Sequence, residues 1–159
     1  MLTIRSAEPD DAAAIAALLI RSIREVCGPD YDNDERLLAQ WCANKTPDNI
    51  ARWTGDPNSY WIVALADDTI AGTASMTLNG DIKLCYVLPE YLHRGIGKAM
   101  LEQLLQQARL LGLHTLRLES TRTAREFYKR NGFIETGMTL GMGIIPSYAM
   151  ERDLTTHYA

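Results

Sequence analysis

The stretch Leu84-Cys85-Tyr86-Val87-Leu88-Pro89-Glu90-Tyr91-Leu92-His93-Arg94-Gly95-Ile96-Gly97-Lys98-Ala99-Met100-Leu101 changes its periodicity partway along. Up to Val87 it is a short apolar run suited to a buried strand, and Pro89, which has no N–H for a ladder, ends it. After Gly97, residues Met100, Leu101, Leu104, Leu105, Ala108 and Leu111 fall three or four apart on one helical face, and Gly112 stands where a C-terminal cap belongs. A helix therefore begins inside Arg94–Lys98. Its first amides have no partner within the helix, and the macrodipole is positive there, so this end attracts an anion. Gly95 and Gly97 lack a Cβ and let a phosphate approach the backbone, while Arg94 and Lys98 supply countercharge. His93, Arg94, Gly95, Ile96, Gly97 and Lys98 thus form a candidate pyrophosphate cradle; the same glycines also suit a tight strand-to-helix turn with no ligand. Neither G-x-x-x-x-G-K-S/T nor the three-glycine dinucleotide fingerprint is present here.

A second stretch, Leu116-Arg117-Leu118-Glu119-Ser120-Thr121-Arg122-Thr123-Ala124-Arg125-Glu126-Phe127-Tyr128-Lys129-Arg130-Asn131-Gly132-Phe133, again reads as strand, short helix and glycine stop. Together the two stretches resemble the GNAT superfamily of acyl-CoA-dependent N-acyltransferases. That family carries a phosphate loop Q/R-x-x-G-x-G/A and, later, A-x-x-F-Y-x-x-x-G-F. The second pattern is complete in Ala124, Phe127, Tyr128, Gly132 and Phe133. In the first, Gly95 and Gly97 match while Leu92 replaces the Gln or Arg, and Thr121 stands where many members have an Asn that contacts the cofactor. Both departures remove side-chain contacts and leave the backbone cradle, so altered affinity is expected and loss of binding is not.

The resemblance implies an α/β (α+β) fold. It consists of a single domain over residues 1–159, with a mixed, mostly antiparallel sheet of six to seven strands, parallel central strands four and five, and helices on both faces. It implies acetyl-CoA as co-substrate, with the pantetheine arm paired to the backbone of Cys85, Tyr86 and Val87 in a gap between strands four and five, and Thr121 and Tyr128 beside it. The Val87 amide corresponds to the family's oxyanion donor, and Tyr128 to its general acid. A phenol with an ordinary pKa of about 10 is protonated at neutral pH, as a departing thiolate requires. The alternative for Phe127 and Tyr128 is an aromatic pair packed in the core. Arg122, Arg125, Lys129 and Arg130 crowd this motif, some placed for a ribose phosphate and others for solvent.

The general base is open between three residues. Asp81 corresponds in register to a carboxylate used as base by some members, but directly after Asn79-Gly80 it is also ordinary hairpin chemistry. Glu119 and Tyr86 are the others. Cys85, with no His at a telling spacing, reads as a small buried hydrophobe. His93, His114 and His157 show no ligand spacing.

At 159 residues and 47% hydrophobic, the chain can bury a core without disulfides. Three cysteines without C-x-x-C spacing suit a reducing compartment and imply no metal. With no leader pattern and no run of membrane-spanning length, a cytoplasmic protein is expected. A net charge of −4 repels nucleic acid. Residues 1–80 hold 6 Lys/Arg against 12 Asp/Glu and residues 81–159 hold 10 against 8, so the cofactor loop lies in the basic half. The acidic half favours a cationic amine as acceptor, or simply solubilises the surface.

The remaining elements follow from local signals. Thr3–Arg5 is a first strand and Pro9-Asp10-Asp11 a helix start. Ile15, Leu18, Leu19, Ile23 and Val26 form an apolar stripe ending before Gly28-Pro29. A charged loop, Asp30–Glu35, precedes a helix with Leu37, Leu38, Trp41 and Cys42, and Thr46-Pro47 starts another. In the family this region walls the acceptor site. Tyr60–Ala66 and Thr69–Leu78 read as strands, Asn79-Gly80 as a two-residue hairpin turn, and Thr123-Ala124-Arg125-Glu126 as a capping box. Phe133–Met142 and Ser147–Leu154 supply two last strands, the surface expected to meet a second copy if the protein is a homodimer. Two functions follow: an N-acetyltransferase acting on a primary amine, or a non-catalytic acyl-CoA-binding regulator. A hydrolase finds neither ligands nor triad in this sequence.

Overall fold

The computed structural model describes residues 1–141 and 145–155. Seven strands form one sheet in the order β1-β2-β3-β4-β5-β7-β6. β1 (Leu2–Ser6), β2 (Ser59–Ala66), β3 (Thr69–Thr77) and β4 (Asp81–Val87) are antiparallel neighbours. β5 (Thr115–Ser120) runs parallel to β4 because the chain returns through a crossover helix, and β7 (Ile145–Asp153) inserts between β5 and β6 (Ile134–Gly141). The expected mixed sheet with parallel fourth and fifth strands is present. Met142, the expected end of the sixth strand, and His157 lie outside the described residues.

Alternation along the strands builds two cores. In β2, Ile62 and Ala64 point to one side, where α4 (Ile96–Leu110) lays Met100, Leu101, Leu104 and Leu105. Trp61 and Val63 point to the other and meet Ile15, Leu18 and Leu19 of α1 (Ala12–Glu25) and Ile50 of α3 (Pro47–Thr54). Each fully buried Leu or Ile contributes about 1.5–3 kcal/mol relative to exposure, so these faces fix the strand register. A third cluster, Ile23, Cys27, Tyr31, Leu38, Cys42 and Ile145, seats α2 (Glu35–Cys42) and the 3₁₀ turn Gly28–Tyr31 over the end of β7. Thr46 caps α3 as read, accepting the Asn49 N–H at 3.2 Å.

Two local readings are corrected. The β3–β4 connection has three residues: the Gly80 N–H reaches the Thr77 carbonyl at 3.1 Å, placing Leu78 and Asn79 at the turn centre and Gly80 at φ +94°. Thr77 Oγ1 favours this longer loop by accepting from the Asn79 and Asp81 amides at 3.3 and 3.2 Å. The two-residue turn is Asp67-Asp68, both with positive φ, as a type I′ hairpin requires. Second, Thr123 does not cap α5 (Arg125–Arg130), whose N-cap is Ala124 without a side-chain bond. Thr121 Oγ1 accepts the Ala124 amide at 3.4 Å, and the Asp30 carboxylate, distant in sequence, accepts the Thr123 amide at 2.8 Å. Among the described residues no helix is long and apolar enough to cross a membrane.

Candidate active site

β4 and β5 share only two register pairs, Asp81↔Arg117 and Ile82↔Leu118. Beyond them the strands part. The β3–β4 register shifts between Ser75↔Leu84 and Met76↔Ile82, leaving Lys83 as a bulge residue, and a bulge bends its strand. The Leu88 amide bonds the Ala71 carbonyl at 2.8 Å, and Gly72 stands opposite Val87. Antiparallel bonds alternate along a strand, so the backbone groups of Val87 and Cys85 face away from β3, into the gap. Ser22 of α1, buried on the apolar stripe, donates its hydroxyl to the Val87 carbonyl at 3.1 Å, and the amides of Val87 and Cys85 remain as donors on that edge. The sequence reading missed Ser22, although a polar residue four after Leu18 on a buried stripe was the available signal.

A cleft of about 880 Å³ runs through the gap. At one end is the start of α4. Its first intrahelical bond is the Ala99 N–H to the Gly95 carbonyl at 3.0 Å, so the amides of Ile96, Gly97 and Lys98 lie at the positive end. Gly95, at φ +82°, and His93, at φ +63°, turn the chain into the helix. His93, Gly95, Ile96, Gly97 and Lys98 line the cleft. Arg94 is not in the lining; its guanidinium stacks on the Tyr91 ring at 5.4 Å. Gly97 has a second cause besides phosphate approach, since a Cβ there would meet the Phe127 ring at 3.0 Å. Of the basic cluster around α5, Arg130 lines the cleft. Arg125 and Lys129 are held by Glu135 at 2.6 and 3.3 Å, and Arg122 donates to the Pro29 carbonyl at 3.3 Å.

Cys85, Tyr86, Val87, Thr121 and Tyr128 line the same cleft. Tyr128 is buried, edge-on to Phe127 at 5.2 Å and to Phe133 at 5.7 Å. Burial first, and then the neighbouring Cys85 and Tyr86, hold its phenol protonated well above the ordinary tyrosine range. Its hydroxyl interacts with the Cys85 thiol, which burial pushes up to about 12. A thiol so placed stays protonated, which argues against a nucleophilic cysteine.

A second cleft of about 610 Å³ opens on the α2 side of the sheet. Ile82, Lys83, Tyr86, Leu118, Glu119, Ser120 and Thr121 line both clefts and so mark their junction. Asp81 lines only the second, where Arg117 holds it at 3.1 Å; Glu119 lines both and accepts the Ser147 hydroxyl at 3.3 Å. Lys83 at this junction was not foreseen, because a bulge is invisible before strands are paired.

One end of the first cleft thus presents the free amides of a helix start, and its side presents the open backbone edge of β4. A family model for the acetyltransferase (GNAT) family matches residues 19–133. Among curated proteins, the amino-acid acetyltransferase of Pseudomonas putida (strain GB-1) is 42% identical over 59 residues, 37% of this chain and only 13% of that protein's length. Among solved structures, the GCN5-related N-acetyltransferase "Aminotransferase, Class-II" from Rhodopseudomonas palustris superposes with a TM-score of 0.85 at 22% identity, over 95% of this chain and 94% of that one. The PaiA N-acetyltransferase from Thermoplasma acidophilum, solved with coenzyme A, gives 0.76 at 23%, over 96% and 99%. These two likenesses are of fold. The family model runs from α1 through the parted strands and the glycine loop to Phe133 at the end of the second motif, and on that match the chain belongs to the acetyltransferase (GNAT) family.

Proposed function

We propose that the protein is an N-acetyltransferase that moves an acetyl group from acetyl-CoA to a primary amine by direct attack, with Tyr128 as general acid. The observation that carries this reading is the buried, protonated Tyr128 lining the same cleft as the amide-rich start of α4. Bound acetyl-CoA supplies the activated thioester. Ile96, Gly97 and Lys98 would hold its pyrophosphate through backbone amides, with Lys98 and Arg130 adding charge. The free edge of β4 at Cys85–Val87 would align the arm, and the Val87 amide is placed to donate to a developing oxyanion, which can be worth about 3 kcal/mol of barrier. Tyr128 gives its proton to the leaving sulfur.

For the proton taken from the amine, Glu119 has the better position, since it opens on both clefts while Asp81 is occupied by Arg117. Asp81 would then act through that pair, fixing Arg117 on the floor of the second cleft. Leu92 and Thr121 leave the backbone cradle intact, and Thr121 turns its oxygen to the Ala124 amide. Calorimetric titration with acetyl-CoA and then CoA, followed by thiol release against a panel of amines, tests the reading. Binding with acceptor-dependent release is expected. Binding without release from any amine would favour the regulator, and no binding would sink both.

A further inference from the structure

The second cleft also constrains the acceptor, given that the first receives the acyl donor. Its lining carries charges in two groups, the first set by strand register. In one, Asp81, Arg117 and Glu151 stand side by side on β4, β5 and β7, and the Asp81–Arg117 pair closes at 3.1 Å, which leaves the row one net negative charge, that of Glu151. The second group, at the junction of the two clefts, is Lys83 and Glu119. Lys83 has no ion-pair partner among the described residues, and Glu119 is engaged through only one oxygen, by the Ser147 hydroxyl. An unpaired cation and a half-free carboxylate lining one junction complement a ligand that carries the opposite two charges. A polyamine would leave Lys83 without a counterion and bring a like charge into its cleft. The same cleft has an aromatic wall: the Tyr31 and Trp41 rings lie 6.0 Å apart at 36°, the Lys45 ammonium sits 5.0 Å from the centre of the Trp41 ring, and Trp41 remains 39% exposed. A volume of about 610 Å³ is of ligand size.

We infer that the acceptor is a zwitterionic amine with an apolar or aromatic side chain, that is, a free α-amino acid or a compound of that shape. Its amino group lies at Glu119, its carboxylate at Lys83 and its side chain against Trp41. The ammonium first passes one proton through Glu119 to solvent; the N–C bond to the acyl carbon then forms as the C–S bond breaks, the nitrogen gives its second proton to Glu119 and the thiolate takes one from Tyr128, giving the N-acylated amino acid, free CoA and one proton released to solvent.

The test measures kcat and KM by thiol release with acetyl-CoA and four acceptors: L-phenylalanine, L-tryptophan, phenethylamine and spermidine. Acetyl-CoA binding is checked independently by calorimetry. The amino acids should exceed phenethylamine roughly tenfold or more in kcat/KM, chiefly through KM, and spermidine should be the poorest. Lys83→Ala should bring the ratio of phenylalanine to phenethylamine close to one, and Lys83→Arg should restore the preference. Failure to bind acetyl-CoA would overturn the donor reading and this proposal with it. Intact binding with equal use of phenylalanine and phenethylamine, with release by spermidine alone, or with release by none of the four would overturn this proposal only. So would a preference that survives Lys83→Ala.

Discussion

At Tyr128, burial raises the phenol's pKa and so sets both its role and its pH behaviour. A general acid fails when it loses its proton, which happens as pH rises through its folded pKa. That value lies above the ordinary tyrosine pKa of about 10, so kcat/KM should show no decline between pH 7 and 9 from this group. Tyr128→Phe should lower kcat about 100-fold with CoA affinity nearly unchanged, read by steady-state kinetics and titration; an unchanged kcat would remove Tyr128 from the mechanism. At Gly97 two effects compete. Alanine favours the helix by about 0.5–1 kcal/mol, but its Cβ would press on the Phe127 ring at 3.0 Å, and overpacking costs about 1–3 kcal/mol. The clash should win, so Gly97→Ala should lower stability in urea denaturation and weaken CoA binding together. Tyr128 and the glycines stood in recognisable motifs. Ser22 stood out only as a polar residue on an apolar stripe and Lys83 not at all, because what each does depends on strands remote in the chain.

The short helix α5 shows what an element of six residues needs from its surroundings. An isolated helix of that length is unstable in water, and this one has no cap of its own. Its approach is held from across the molecule by Asp30, whose carboxylate accepts the Thr123 amide, and by Arg122 bonded to the Pro29 carbonyl. The turn that carries Asp30 also carries Tyr31 of the second cleft, so one contact ties the acceptor wall to the segment bearing Tyr128. Asp30→Ala should cost about 1–3 kcal/mol in denaturant unfolding and lower kcat, because it strands a backbone donor and frees α5. Asp30→Asn keeps an accepting oxygen and should lie nearer the parent in both measurements. The capping box read from Thr123-Ala124-Arg125-Glu126 had the correct letters, but a stronger acceptor supplied by the fold displaced it. In the same way, Asn79-Gly80 marked a turn correctly, and Thr77 decided its length.

At the scale of the whole molecule, the N-terminal strand is locked to α1 by an ion pair whose pH dependence can be worked out. Arg5 donates two hydrogen bonds to Asp11, at 2.8 and 2.9 Å, and the Glu8 amide adds a third at 2.8 Å. The Arg5 bonds first, and then the Glu8 amide against the opposing effect of burial, hold the Asp11 carboxyl below its usual range. A depressed carboxyl contributes stability that is full above its unfolded pKa of about 4 and is lost as pH falls through the folded value. Unfolding free energy should therefore drop below about pH 4. Asp11→Asn, at a cost of about 1–2 kcal/mol at pH 7, should show a shallower acid loss in urea melts at pH 7 and pH 3. The order of strands and helices, the change of period at Gly97 and the two family motifs were determined by sequence alone, because side-chain periodicity and glycine and proline chemistry act over a few residues. Tertiary structure decided where β4 and β5 part, which carboxylate opens on both clefts, that Arg94 turns to Tyr91, and what caps α5. Each of these depends on register between strands or on contacts between segments far apart in the chain. No local pattern encodes them, since the energy that selects them arises only when the sheet and its two cores are assembled.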